Sequence, residues 1–305
     1  MPDSRKSETR PRLACEITSE RVIAARASDA TGGLEMFTSR RLNEGTVAPG
    51  LNGPNVLDAR ALQSAISGAL GAVSGKSKDV VAILPDSAVR VFLLDFDMLP
   101  AKLEERDAVV RFRLKKSLPF DVEQAAMSYQ VRGTRDGMVQ VVVAVAPRAA
   151  VEEYEEVFRQ AGYAPGVVLP STVAALGIVD ATRPTLLLKV DPNYITVAAA
   201  DAQELRLIRT LENPHGADVS ATVLADAVLP SIVFFEDTFG SHIEEIMISG
   251  DAPLEHAGNE LAALLRQHTG ATIRELAPGS GAAQNLSGDP LRPSQLAAVA
   301  GALTK

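Results

Sequence analysis

Tryptophan is absent from the sequence, cysteine occurs once, and aromatic residues make up only 4% of the chain. The cores must therefore rely on Val, Leu, Ile and Ala. A lone Cys15 excludes an intramolecular disulfide and any cysteine cluster for a metal, and it fits a reducing compartment. No stretch approaches the ~18 apolar residues of a spanning helix. The most apolar run, 139–147, has the length of a buried strand. Basic residues are outnumbered, 30 against 38 acidic, for a net charge of -8. The overall field therefore opposes nonspecific binding to nucleic acid or anionic lipid. Residues 1–12 are polar and charged, with no apolar stretch of signal-peptide kind, and are expected to form a flexible tail. A cytoplasmic protein that reaches a membrane only through a partner is the expectation.

What is present is the composition of a globular protein, 46% hydrophobic and 22% charged. A chain of 305 residues exceeds one hydrophobic core, so two domains are expected. Short β-prone runs at 13–17, 21–27 and 34–42 surround the turns Thr18-Ser19-Glu20 and Asp29-Ala30-Thr31-Gly32-Gly33, which predicts a three-strand meander. A Gly, Pro and Asn-rich loop, 43–55, precedes a helix in which Leu62, Ile66, Ala69, Leu70 and Val73 recur at helical spacing, with Gly75 as its cap. The meander pattern returns at 185–190, 194–200 and 205–211. A helix over 218–239 that Pro230 should kink, a strand at 243–249 and a helix over 254–269 follow. A loop at 279–288 and a short helix at 293–303 complete the pattern.

Two meander-plus-helix halves are the layout of the α/β actin-like (ribonuclease-H-like) two-lobed fold. On that reading, 13–78 forms the first lobe, completed by 165–184 and 290–305, and 185–289 forms the second. The segment 79–164 is an insertion of strand, strand, helix, strand, strand and helix, the helices at 103–118 and 149–162.

The insertion carries the specific signal. Val81-Ala82-Ile83-Leu84-Pro85, the strand beginning Val89-Arg90-Val91-Phe92, the corner Ser117-Leu118-Pro119-Phe120 and the strand Met127-Ser128-Tyr129-Gln130-Val131 resemble the 1C-type subdomain of the PilM family. PilM proteins are actin-like cytoplasmic components of type IV pilus assembly. Further along, Val143-Ala144-Val145-Ala146-Pro147-Arg148 and Ile232-Val233-Phe234-Phe235-Glu236 are also similar to that family. Its relatives GspL and FtsA add a spanning helix with a periplasmic domain, or a terminal amphipathic helix, and no run here matches either. The resemblance implies a scaffold that binds the cytoplasmic tail of a PilN-like inner-membrane protein, with other pilus platform components as further partners. The tail would lie between the first lobe and the insertion, where Leu118, Phe120, Tyr129 and Val131 stand nearest the matching motif. Core packing is the plainer reading of Phe120 and Tyr129. A homo-oligomer is left open.

Nucleotide chemistry in this superfold needs glycine-containing phosphate turns, whose backbone N–H groups approach the phosphates, and an acid that organises magnesium-bound water. The resemblance puts the first turn at Glu16-Ile17-Thr18-Ser19-Glu20. Glu16 and Ser19 are kept in kind, but Thr18 replaces Gly and Glu20 would set a carboxylate beside a triphosphate. In the second, Lys189-Val190-Asp191-Pro192-Asn193-Tyr194, a lysine replaces the acid, Pro192 has no N–H to donate and Tyr194 is bulky. Asp191 could substitute by a two-residue shift. The adenosine motif survives in part as Ile248-Ser249-Gly250-Asp251, which also reads as an ordinary strand end. The expectation is a non-enzyme without cofactor. The alternative is an ATP-binding switch or weak ATPase using Mg and ATP through Glu16, Ser19, Asp191, Ser249 and Gly250. A sugar-kinase-like transferase would need an acid where Lys189 stands.

Three other patterns carry less. Gly71-Ala72-Val73-Ser74-Gly75-Lys76-Ser77 has three residues between its glycines rather than the four of a P-loop, and it ends a helix. The four histidines, His215, His242, His256 and His268, show no metal-ligand spacing. Arg106, Arg111, Arg113, Lys115 and Lys116 form either a solvated face or a surface for an acidic partner or lipid headgroups, behind an apolar line of Leu103, Val110, Leu114 and Leu118. Glu152, Glu153, Glu155 and Glu156 are expected to face water.

Overall fold

The computed structural model describes residues 10–28, 33–213, 220–250, 257–279, 283–286 and 290–304. Strands β1 (Leu13–Ile17), β2 (Arg21–Ala27) and β3 (Leu34–Arg41) form the antiparallel meander. Alternation sends Leu13, Cys15 and Ile17 to one face, where helix α1 (Ala59–Val73) covers them through Leu62, Ile66 and Leu70. Ala14 and Glu16 take the other face. Asp58 caps α1 by accepting the Ala61 N–H at 3.0 Å. The helix ends on Ser74, whose extended backbone already leaves the helix, so Gly75 is not the cap and has no positive φ.

Strand β4 (Asp79–Leu84) runs parallel to β1, with Cys15 opposite Ala82. The chain then leaves the lobe through β5 (Arg90–Phe96), α2 (Leu103–Leu114), β6 (Ala125–Arg135) and β7 (Met138–Pro147). These strands form a separate sheet in the order β5-β7-β6. Helix α3 (Arg148–Gln160) returns to the first lobe, where Tyr154, Val157 and Phe158 join the core beneath α1. Strand β8 (Ala164–Pro170) pairs parallel with β4, and α4 (Ser171–Ala175) follows. The boundary read as 79–164 is therefore too wide. Both β4 and α3 belong to the first lobe, because strand pairing and core contacts, invisible in local pattern, tie them there.

Within the insertion, α2 stops at Leu114 rather than 118, and Leu103 is 71% exposed, so only Val110 and Leu114 of the expected apolar line are buried. Two of the five basic residues are spent on local structure. Arg111 bonds Asp107 at 2.7 Å and the Val122 carbonyl at 2.6 Å, and Arg106 donates to the carbonyls of Pro100 and Ala101. Glu153 likewise departs from expectation, since its carboxylate accepts the Asn55 and Val56 N–H groups at 2.7 and 3.0 Å and pins the 43–55 loop.

The second lobe repeats the meander as β9 (Thr185–Val190), β10 (Tyr194–Asp201) and β11 (Glu204–Glu212). Helix α5 (Ala221–Phe239) runs through Pro230 without a break and stops at left-handed Gly240, φ 65°. Strand β12 (Glu245–Gly250) pairs parallel with β9, followed by α6 (Ala257–Thr269) and β13 (Thr272–Glu275). The expected start of α6, 254–256, lies outside the described residues. The loop expected at 279–288 contributes a two-residue strand, β14 (Gln284–Asn285), which pairs with β3 of the first lobe. A 3-10 turn and α7 (Ala297–Leu303) follow. The lobe sheets run β14-β3-β2-β1-β4-β8 and β11-β10-β9-β12-β13. Between them a third core joins Ile23, Phe37 and Ile83 of one lobe to Leu187, Ala198 and Met247 of the other, through α4 and α7. There the backbones touch. A Cβ on Gly301 would stand 2.0 Å from the Ala174 carbonyl oxygen, so glycine is required.

Candidate functional site

The two meander turns face each other across the lobes, and alternation decides what they present. On β9, Leu186, Leu188 and Val190 enter the core of the second lobe, so Lys189 points toward the first. On β1 the same rule turns Glu16 toward the second. Lys189 is 4% exposed and its Nζ lies 2.6 and 2.7 Å from the two Asp191 oxygens and 3.8 Å from Glu16 Oε1. Ser171, which opens α4, donates its hydroxyl to Glu16. Next to it Asp86, in the turn after β4, accepts the Thr172 N–H at 2.9 Å and the Thr172 hydroxyl at 2.5 Å. Burial alone would push the Lys189 ammonium toward deprotonation, but Asp191, then Glu16 and Asp86, outweigh it and raise its pKa above the usual lysine range. The site is thus a closed ionic cluster that spans both lobes.

The turns are stiff. Thr18 accepts the Glu20 and Arg21 N–H groups on its own hydroxyl, and its N–H donates to the Arg21 carbonyl at 2.9 Å. The second turn closes through Asp191 N–H to the Tyr194 carbonyl at 2.9 Å, and Asn213 clasps it, its side-chain amide donating to the Pro192 carbonyl at 3.0 Å and its backbone N–H to the Asn193 carbonyl at 2.7 Å. Between the turns, Ser19, Pro49, Pro85, Ser87 and Tyr194 wall a cavity of about 20 Å³ around Glu16, Lys189 and Asp191. An adjoining one of about 10 Å³ lies against Ser249, Gly250 and Ser294. Small-ligand pockets span roughly 300–1,000 Å³, and one water needs ~10–15 Å³. These two spaces are thus of the size of a water or two, while a cavity of about 760 Å³ is walled by Ser19, Glu20, Pro49, Pro192, Asn193 and Tyr194 of the same turns and the neighbouring loop. Among the described residues no group of three His, Cys, Asp or Glu side chains is placed to hold a metal ion.

All five residues read from the sequence as nucleotide contacts converge here. Glu16 and Asp191 meet through the lysine, Ser19 lines the mouth, and Ser249 and Gly250 line the smaller cavity. Gly250 has φ 90°, and a Cβ there would fall 2.5 Å from the Val190 carbonyl oxygen, so strand packing requires this glycine whether or not a nucleotide does. The sequence reading missed Asp86, Ser171 and Thr172. Their signal was the polar pair Asp86-Ser87 directly after a fully apolar strand, which lay inside the segment assigned to the insertion. The residues proposed for a partner separate. Leu118, Phe120 and Tyr129 pack on the core of the insertion, and Val131 is 39% exposed on β6.

Two lobes of like topology, with α4 and α7 between their sheets and a compact insertion after β4, define an actin-like fold with a 1C-type subdomain. Solved structures with this fold bear that out. The chain is similar to the structure titled "PilM-PilN type IV pilus biogenesis complex", at 21% identity over 96% of this chain and 98% of that one, with a TM-score of 0.74. It is also similar to the cytoplasmic domain of EpsL, an inner-membrane component of the type II secretion system of Vibrio cholerae, at 12% identity, 96% and 94% coverage and a TM-score of 0.55. A Bacteroides thetaiotaomicron protein with an actin-like ATPase fold matches at 11% identity, 86% and 89% coverage and a TM-score of 0.50. No sequence-family model matches the chain, and no curated protein matches it.

Proposed function

We propose that the chain is a non-catalytic scaffold of an inner-membrane assembly platform, of type IV pilus or related secretion kind, and that it holds the cytoplasmic tail of a PilN-like membrane protein. The observation that carries this reading is the Lys189 cluster, in which a protein cation takes the space between the two turns where an actin-like ATPase would need room for phosphates. The likeness to a PilM-PilN complex and to an EpsL domain supports the platform role. In this role the chain works at the cytoplasmic face of the membrane through its partner. Among the described residues no helix is long and apolar enough to cross a membrane.

Two measurements test the proposal. Calorimetric titration with Mg-ATP is expected to give no binding at millimolar nucleotide, whereas micromolar binding would restore the switch or ATPase reading. The purified chain is expected to retain a synthetic peptide copying the cytoplasmic segment of a PilN-like bitopic membrane protein from the same organism. Failure to bind that segment removes the scaffold role.

A further inference from the structure

Away from the ionic cluster, a cavity of about 370 Å³ lies between the insertion and the second lobe, within the size range of ligand pockets. Its walls are two sheet edges. Strand β5 ends the three-stranded sheet and β11 ends the five-stranded one, and their Cα atoms come within 8 Å, yet no backbone ladder joins them. Edge strands with free N–H and C=O groups recruit extended peptides. Side chains narrow the choice of peptide. The pairing of β10 with β11 steps from Leu207 to Leu205, which leaves Arg206 as the extra residue of a bulge. Bulges at sheet edges re-aim side chains. The Arg206 guanidinium lines the cavity, 12% exposed, bonded to Glu204 at 2.7 Å through Nη1, while its buried Nε–H has no partner among the described residues. Arg132 and Arg209 line the same space, and Arg209 lies over the Phe234 ring at 5.4 Å. Beside it α5 exposes two large apolar side chains in succession, Val233 at 54% and Phe234 at 45%.

We infer that this groove docks an extended segment of a partner protein in which an acidic side chain sits between apolar residues. The carboxylate accepts guanidinium N–H groups of Arg132 and Arg209, the apolar residues cover Phe234 and Phe239, and the segment's backbone bonds one of the two strand edges. Three arginines face Asp95 and Glu204 in the lining, and this local excess of positive charge stands against a chain of net charge -8. The site is distinct from the border between the first lobe and the insertion, and it does not depend on the tail-binding reading.

The test is selection of a random twelve-residue peptide library on the full chain, with hydrogen exchange of the complexes. Enriched peptides are expected to share an acidic residue flanked by apolar ones, to slow exchange in β5 and β11, and to bind Arg209→Gln at least tenfold more weakly. Phe234→Ser, at an exposed position, is expected to weaken them comparably and covers the case in which Arg209→Gln fails to fold. No enrichment, a consensus without an acid, protection elsewhere, or unchanged binding to both variants overturns the inference. So does displacement of the peptides by glutarate at equal concentration, which would mark a small-anion site instead.

Discussion

Replacing Lys189 by Met removes the ammonium and keeps most of the side-chain length. Its partners stay behind, Asp191 at 2.6 Å and Glu16 at 3.8 Å, with Glu16 held by Ser171 and unable to swing to water. Removing one member of a buried ion pair costs about 3–5 kcal/mol. The Asp191 side chain keeps 18% exposure, which places the expected loss near the lower bound, about 3 kcal/mol. Against a typical stability of about 5–15 kcal/mol this is large but survivable. Urea unfolding followed by far-UV circular dichroism measures it, and a double-mutant cycle with Asp191→Asn isolates the pair. The double variant should recover about 1 kcal/mol or more, because it no longer carries the stranded Asp191 charge. The pH dependence has a definite sign. The folded pKa of Lys189 is raised above the ordinary lysine value of 10.5, so its contribution is fully present below that value and is lost only as pH climbs through the higher folded value. On this account the lysine's contribution holds constant from pH 7 to about 9. A loss under about 1 kcal/mol, or additivity within about 0.5 kcal/mol, would refute the role of the cluster as a clamp.

Gly301→Ala drives a Cβ to 2.0 Å from the Ala174 carbonyl oxygen, and because the obstacle is backbone the cost should reach the upper end of overpacking, about 3 kcal/mol, read as a lowered thermal midpoint. Asp86→Ala leaves the buried Thr172 N–H and hydroxyl without their acceptor, for an expected loss of about 1–3 kcal/mol in the same urea assay. Cys15 is fully buried, and burial, then the neighbouring Glu16 charge, push its thiol well above the usual range. A colorimetric thiol reagent should therefore leave the native protein unlabelled at pH 8, raising the pH to about 9 should not change that, and guanidinium chloride should expose the thiol.

How far the sequence could be read depended on the range of the interactions involved. Both meanders, α1 and the order of strands in the insertion follow from period-two and helical patterns and from turn residues, all of them local. The edges of the insertion were not legible, because the β4 stretch Val80-Val81-Ala82-Ile83-Leu84 is equally apolar in either sheet and only its pairing with β1 decides. Charge on a helix face misled in the same way. Glu153 has the spacing of its solvated neighbours, yet a loop about a hundred residues earlier in sequence folds its N–H groups onto it. The five candidate nucleotide contacts were found through family resemblance, and their meeting at one place follows from the symmetry of the two lobes. Lys189 was legible as the loss of an acid. Its gain as a counter-ion was not, since its partners lie on both lobes and Asp86 was assigned elsewhere.

That gain bears on whether nucleotide could still drive the lobes. A ligand shifts a conformational equilibrium only by its difference in affinity between the two states. Here the closed state already has its own fastenings, the Lys189 cluster and the apolar layer in which Gly301 lies against the Ala174 carbonyl oxygen. A triphosphate entering between the turns would compete with Asp191 and Glu16 for the Lys189 ammonium and set its own charge beside theirs, while Pro192 withholds an N–H and Glu20 adds repulsion. The ionic cluster and the apolar layer together hold the lobes in the arrangement seen, and the unpaired edges of β5 and β11 lie apart from both.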